Sequence, residues 1–267
     1  MMIFPHFGIS PEQFWKRTNV LVDEQGYDGE LAYLKVLLDC LTPDPPTNAQ
    51  LRKLGAELKF FPGLPAMFGE LDALLRDDHR ALGIRLEHYI ISSGLKELLE
   101  GSALRPFAKA VFGSEFAEDR DGRINFPKRV IGHTTKTQFI FRINKGMLLP
   151  QEDVNDHMPP ELRPIPFQNM IYIGDGPTDV PCFTLMKKYG GNAIAVYNPD
   201  DATRTSFRKC YQLAAHADRV KNIAPSDYRP GGHLRLLLEE MILEIADGIL
   251  RKRRTEVENA TVSAPGY

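Results

Sequence analysis

Cysteine is scarce. Cys40, Cys182 and Cys210 are the only three in 267 residues, and an odd number at wide spacing speaks against a disulfide framework or a zinc knuckle. No apolar run approaches the ~20 residues that cross a bilayer. The opening, Met1-Met2-Ile3-Phe4-Pro5-His6-Phe7-Gly8, has neither the basic start nor the long apolar stretch of a secretion signal. The expectation is a cytoplasmic protein with no membrane partner. Charge of one sign is also lacking, the formal net charge being −2, and nucleic acid is not an expected partner because phosphate binding needs clustered Lys and Arg. The one basic run, Arg251-Lys252-Arg253-Arg254, closes a helical pattern where cations complement the dipole, so it reads as a solvated helix end. No Gly-x-Gly-x-x-Gly follows any strand, which counts against a dinucleotide-binding protein. His133 has no second His or Cys at metal-site spacing and reads as a loop residue. There is no internal repeat.

What is present is an average globular composition, 43% hydrophobic and 25% charged, at a length that suits one α/β domain or a core with a smaller appendage. From Pro11 to about Leu58 the apolar spacing is helical, with Ser10 before a Pro11 first turn, and Thr47 or Asn48 able to cap the last helix after the break at Pro43-Asp44-Pro45-Pro46. Residues 1–59 therefore read as a small helical unit. Phe60 to Pro65 is a turn into a helix from Ala66 to about Arg76, and the first clear strand runs from Leu86 to Ile91. Beyond Gly83, strand and helix alternate. Helices are predicted over Gly94 to Glu100, Thr135 to Asn144, Val180 to Tyr189, Ala202 to Ala215 and Leu234 to Leu250. Strands are predicted near Ala110 to Phe112 and over Met170 to Ile173, Ala193 to Tyr197 and Val220 to Ile223, with a Pro-rich loop over Leu149 to Pro166. This grammar gives residues 60–254 as an α/β core built on a doubly wound parallel sheet, and residues 255–267 as a frayed tail.

The densest chemistry follows Met170-Ile171-Tyr172-Ile173, which releases into Gly174-Asp175-Gly176-Pro177-Thr178-Asp179. A short apolar run bounded by Gly and Pro predicts a strand covered on both faces, and ligands of such sheets sit beyond the carboxyl ends, where Asp175 emerges. Two acids in one tight turn repel each other unless a cation or a hydrogen-bond network offsets them, and oxygen ligands favour Mg²⁺. The same letters are also ordinary turn and N-cap chemistry. Leu86 to Ile91 ends in Ser92-Ser93-Gly94, where a hydroxyl and free backbone N–H groups at a helix start form either an anion site or a simple cap. Lys136 falls in the first turn of a helix, against the dipole. It either reaches an anionic group or is simply exposed.

In this order, Ile90-Ile91-Ser92-Ser93-Gly94, Thr135-Lys136-Thr137 and Gly174-Asp175-Gly176-Pro177-Thr178-Asp179 resemble the second, third and fourth motifs of the haloacid dehalogenase-like (HAD) hydrolase superfamily. Phe61-Pro62-Gly63-Leu64-Pro65 resembles the turn before the second motif in many members, and the helical segment resembles an inserted C1-type cap. Lys145 is the second candidate for the lysine. The resemblance implies a Mg²⁺-dependent phosphohydrolase acting on a small phosphorylated substrate. Asp175 would ligate the metal, Asp179 would ligate it or orient a ligand, Ser92, Ser93 and Gly94 would hold the phosphoryl group, and Lys136 would neutralise charge as an aspartyl-phosphate forms.

The sequence departs from the family pattern in one respect. The first motif, Asp-x-Asp-x-Thr on an opening strand, supplies the aspartate nucleophile, and it does not stand before the helical segment. Asp119-Arg120-Asp121-Gly122 has the letters but follows no apolar strand and reads as a hairpin turn. The first core strand is thus expected to be missing from the middle of the sheet, and each buried ladder group left unpaired costs about 1–3 kcal/mol. Ser92 and Lys136 cannot replace the nucleophile without an adjacent base. The favoured expectation is a true start upstream of Met1, with gene truncation or a non-catalytic relative as alternatives. The 267 residues are expected to be a HAD-like phosphomonoester phosphatase without turnover until the nucleophile is restored. The alternative is a non-catalytic phosphate-ligand binding or regulatory protein.

Overall fold

The computed structural model describes residues 3–215 and 219–262. In chain order, α1 (Ile3–His6), α2 (Pro11–Asp23), α3 (Gly29–Leu41), α4 (Asn48–Leu54), α5 (Ala66–Asp72) and α6 (Asp77–Ala81) precede strand β1 (His88–Leu95). Next come α7 (Lys96–Glu100), β2 (Ala108–Glu118), β3 (Ile124–Arg129) and α8 (Thr135–Lys145). The last part alternates β4 (Ile171–Gly174), α9 (Val180–Tyr189), β5 (Asn192–Tyr197), α10 (Thr205–Ala215), β6 (Asn222–Pro225) and α11 (His233–Val262). The strands form two sheets, ordered β1-β2-β3 and β4-β5-β6. Contacts divide the chain into two compact units, Met1–Phe60 with Tyr89–Phe139, and Phe61–His88 with Ile140–Tyr267.

In the first unit the helices start where their caps dictate. Ser10 accepts from the Gln13 N–H at α2, Asp28 accepts from Glu30 and Leu31 at α3, and Thr47 forms a reciprocal capping box with Gln50 at α4. Their apolar faces, among them Phe14, Leu34, Leu37 and Leu51, share a core with Leu95, Leu98, Phe116 and Ile124. The Pro-rich turn before α4 docks on the β2–β3 hairpin: Ile124 N–H donates to Pro46 C=O at 3.0 Å, and Asn48 N–H to the Glu118 carboxylate at 2.8 Å.

In the second unit the sheet is parallel, with Ile173 opposite Ile194 and Ala195 opposite Ile223. Successive β5 residues face opposite ways. Ile194 and Val196 pack with Met67 and Leu71 of α5 and with Leu234, Leu238 and Ile242 of α11, whereas Ala195 packs with Phe183 of α9 and Cys210 of α10. Helices therefore cover both faces, which is the doubly wound arrangement of an α/β fold. Ion pairs reinforce it: buried Arg235 of α11 reaches Glu70 of α5 at 2.7 Å and Glu239 at 2.6 Å.

Several local expectations change. The strand near Ala110 is the long β2, and β3 pairs with it antiparallel, so the first sheet is not purely parallel. Gly113-Ser114 reads as a break in β2, and Pro127 hides β3, a position tolerated because β3 is the last strand of its sheet. The turn at Asp119 to Gly122 is a hairpin turn, closed by Asp119 N–H to Arg123 C=O at 2.8 Å. Strand β1 runs on to Leu95, so Ser92, Ser93 and Gly94 lie in the strand and not at a helix start. Ser92 instead spends its oxygen on the Gly94 N–H, a local bond that favours extended chain over helix.

The tail expected from residue 255 is helical as far as Val262, while 263–267 lie outside the described residues. Nor is the basic run merely solvated. Arg253 donates to the Leu82 carbonyl and Arg254 pairs with Asp78 at 3.4 Å, which ties α11 to the α6 segment. Among the described residues no helix is long and apolar enough to cross a membrane.

Candidate functional site

The acidic loop leaves β4 at the carboxyl edge of the parallel sheet. A short 3-10 turn, Pro177–Asp179, folds the chain back on itself, and Asp179 N–H bonds to Gly176 C=O at 3.0 Å. This brings the two carboxylates into unlike settings. Asp179 is 3% exposed. Its Oδ2 accepts from the backbone N–H groups of Asp175 and Gly176, both at 3.1 Å, and its Oδ1 accepts the Tyr172 hydroxyl at 2.6 Å. Gly174 is required beneath it, because a Cβ there would lie 2.6 Å from Asp179 Cγ. Asp175, by contrast, is exposed.

The electrostatics report where the Asp175 charge reaches. Burial pushes the Tyr228 phenol up to about 12 and the Cys210 thiol up to about 11, and in both the Asp175 carboxylate adds to the rise. Asp175 thus acts on α10 and on the loop that follows β6. Burial, reinforced by Asp179 and Cys182, pushes the Tyr172 phenol far above its ordinary value, so it remains a donor. In the loop after β6, Arg229 grips Asp227 through both oxygens and holds that carboxyl down at about 2. The same loop receives Phe61 to Pro65: Tyr228 N–H donates to Pro62 C=O at 2.8 Å. Gly63, at φ 91°, sits so close to the Tyr228 backbone that no side chain fits.

Ser92, Ser93, Gly94 and Lys136 belong to the first unit, Asp175 and Asp179 to the second. Within the first, a residue with no sequence signal connects the serine strand to the lysine helix. Buried Ser114 on β2 donates its hydroxyl to Ser93 C=O at 3.0 Å and accepts the Ile131 N–H at 3.1 Å. Ile131 leads directly into the turn of α8, where Thr135 Oγ1 accepts Gly132 N–H at 2.6 Å and Lys136 N–H bonds to Gly132 C=O at 3.1 Å. Ser92 accepts from Gly94 N–H at 3.0 Å, which leaves its own hydroxyl proton available to an anion. Ser93 Oγ is buried without a hydrogen-bond partner.

Lys136 is 6% exposed. An ammonium buried in a first helical turn is opposed by both desolvation and the dipole, so helix stability does not explain it. Lys145 is different: its ammonium donates to the carbonyls of Val154 and Asp156 at 2.6 and 2.7 Å, and so pins the Pro-rich loop. Arg142 and Asn144 secure other carbonyls of that loop, those of Met147, Leu149 and Ile165. The loop histidine, His133, pairs with Glu30 of α3 at 3.1 Å.

The residues that sequence reasoning missed are Tyr172, Ser114 and Glu30. Only Tyr172 carried a signal, as a polar tip inside an apolar strand two residues before the Gly-Asp pair.

The fold is similar to that of solved hydrolase structures. Solved structures of a HAD family hydrolase from Salmonella enterica serovar Typhi and of a probable phosphoserine phosphatase from Vibrio cholerae match the chain. The first aligns with a TM-score of 0.54 at 17% identity, over 89% of this chain and 64% of that one. The second aligns with a TM-score of 0.51 at 14% identity, over 92% and 60%. The fold is HAD-like, and the chain spans less than two thirds of the length of either structure. In sequence, an uncharacterized protein of Borreliella burgdorferi is 28% identical over 271 aligned residues, covering 91% of each chain. No family model matches the chain.

Proposed function

We propose that the chain is the phosphate-handling part of a HAD-like, Mg²⁺-dependent phosphomonoester phosphatase of the cytoplasm, acting on a small phosphorylated substrate. The observation that carries this reading is the exposed Asp175 carboxylate at the end of β4, in one tight turn with the buried, hydrogen-bonded Asp179. Mg²⁺ suits such a site because it takes one or two carboxylates, keeps several waters and shares substrate phosphate oxygens. Among the described residues no group of three or more His, Cys, Asp or Glu offers a complete protein cage. Asp175 would hold the ion together with water and phosphate oxygens. When bound, the ion supplies charge neutralisation at the phosphoryl oxygens.

The other roles fall to residues of the first unit. The Ser92 hydroxyl proton, the Ser93 hydroxyl that lacks a partner, and the backbone around Gly94 hold phosphoryl oxygens. Buried Lys136 counters the charge that develops there. Residues 1–59 act as the cap that selects the leaving group. The aspartate nucleophile of the first motif is not among the 267 residues, so aspartyl transfer requires the Asp-x-Asp strand to be supplied.

Two measurements test this. Isothermal titration of the 267-residue chain with Mg²⁺ and inorganic phosphate should show binding that Asp175→Asn removes. Hydrolysis of p-nitrophenyl phosphate by the same chain should be absent, and should appear when an apolar strand ending in Asp-x-Asp is fused ahead of it. Failure to bind phosphate and Mg²⁺ sinks the reading, and turnover by these residues alone sinks the argument about the nucleophile. Binding without turnover in the extended chain would favour a regulatory phosphate-binding protein.

A further inference from the structure

We propose that Tyr172 is a positioning residue: its phenol fixes Asp179 in the orientation that locks the loop backbone and presents the Asp175 carboxylate to a divalent cation. This rests on the reading of Asp175 as the metal-holding group. The path is continuous within the second unit. Tyr172 lies on β4, and its ring is set edge-on against Phe183 of α9, with centroids 5.7 Å apart at 81°. Its place therefore depends on the sheet and helix core and not on the loop. From there the hydroxyl reaches Asp179 Oδ1 at 2.6 Å, and Oδ2 of the same carboxylate receives the Asp175 and Gly176 N–H groups at 3.1 Å each. Gly174 leaves the space into which the carboxylate folds.

A buried carboxylate turns about its own side-chain torsions unless both oxygens are held. With the phenol present, one oxygen is anchored to the rigid strand and the other is free only to face the loop amides. Replaced by an apolar ring, Oδ1 loses that donor and the carboxylate is held less firmly in its orientation toward the loop amides. The amides at Asp175 and Gly176 then hold their acceptor more loosely, and the Asp175 side chain is less firmly held over the sheet edge. Charge-assisted hydrogen bonds of this kind are the strong ones, so the loss is transmitted rather than absorbed.

Tyr172→Phe isolates the effect, because it keeps the ring against Phe183 and deletes one oxygen. Two readouts are needed: backbone amide exchange at Asp175 and Gly176 without metal, and Mg²⁺ affinity by titration calorimetry, repeated with Mn²⁺ by electron paramagnetic resonance. The expected result is amide exchange faster by about tenfold and metal affinity weaker by about tenfold, with a global melt that is lowered but still a single cooperative transition. Asp179→Asn, which retains the side-chain volume, should reproduce both losses and serves should the tyrosine variant fold poorly. Metal affinity within about twofold of the parent despite faster amide exchange overturns the positioning role while leaving Asp175 as a ligand. A parent chain that binds neither ion overturns both this proposal and the metal reading beneath it.

Discussion

Strands β4 and β1 end alike in sequence, each an apolar run that gives way to glycine and small polar residues, yet the two ends are built by different means. At β4 the loop is held from within: Tyr172 and Asp179 lie seven residues apart, and Asp179 bonds to backbone three and four residues before it. At β1 the holding comes from elsewhere. Ser114, twenty-one residues beyond Ser93, is the bridge to Ile131 and so to the helix of Lys136. A short-range network can be read from neighbouring letters, because the residues that make it must be close in the chain. A bridge across a sheet depends on register, which no local pattern announces.

The comparison can be broken most severely at β1. Ser114→Val should leave the Ile131 N–H and the Ser93 C=O buried and unpaired, lowering stability by about 3 kcal/mol, measured as the urea midpoint shift. Next comes the β4 end, where Gly174→Ala should displace Asp179 and cost about 2 kcal/mol, read by thermal melting together with faster exchange of the Asp175 amide.

A smaller effect tests the first residue of β1. Burial pushes the His88 imidazole below its ordinary value of 6.5, against weaker opposing pulls from Asp72 and the Phe68 backbone. Its Nε2 is buried without a hydrogen-bond partner. The unfolded chain therefore takes up the proton first, so the contribution of neutral His88 is complete above about 6.5 and is lost as pH falls below it. The urea midpoint of the parent should drop relative to His88→Gln across that window, and parallel curves would refute the assignment. The smallest change is Ser92→Ala, which removes a local bond to Gly94 and should shift stability by only about 0.5 kcal/mol. A shift as large as that of Ser114→Val would erase the distinction between the two strand ends.

Much of the second unit was legible. Helix α9 occupies the predicted Val180 to Tyr189, and β4 and β5 fall within a residue of their predicted starts. There, the apolar period and the punctuation by Gly, Pro and Asp agree with one another. The first unit was less legible. Gly113-Ser114 resembles a break, but Gly113 is where β2 passes against the backbone of Lys96, so close that a Cβ would lie 2.7 Å from it. Pro127 disguises β3 as a loop, although an edge strand accommodates it. At the candidate site, Asp175, Asp179, Ser92 and Lys136 were visible as letters. That Asp179 is buried and bonded while Asp175 is exposed was not, because both stand in the same turn motif.

The sequence by itself determined which segments become helix or strand in the parallel unit and where the caps of the N-terminal helices fall. Tertiary structure decided the rest: how far β2 and β3 extend from the hairpin turn, the division into two units, the assignment of Lys145 to loop carbonyls and the tethering by Tyr172 and Ser114. The physical reason is range. Propensity, capping and periodicity act over a few residues, whereas burial and hydrogen-bond satisfaction depend on which distant segments come into contact, and that is fixed only when the cores pack.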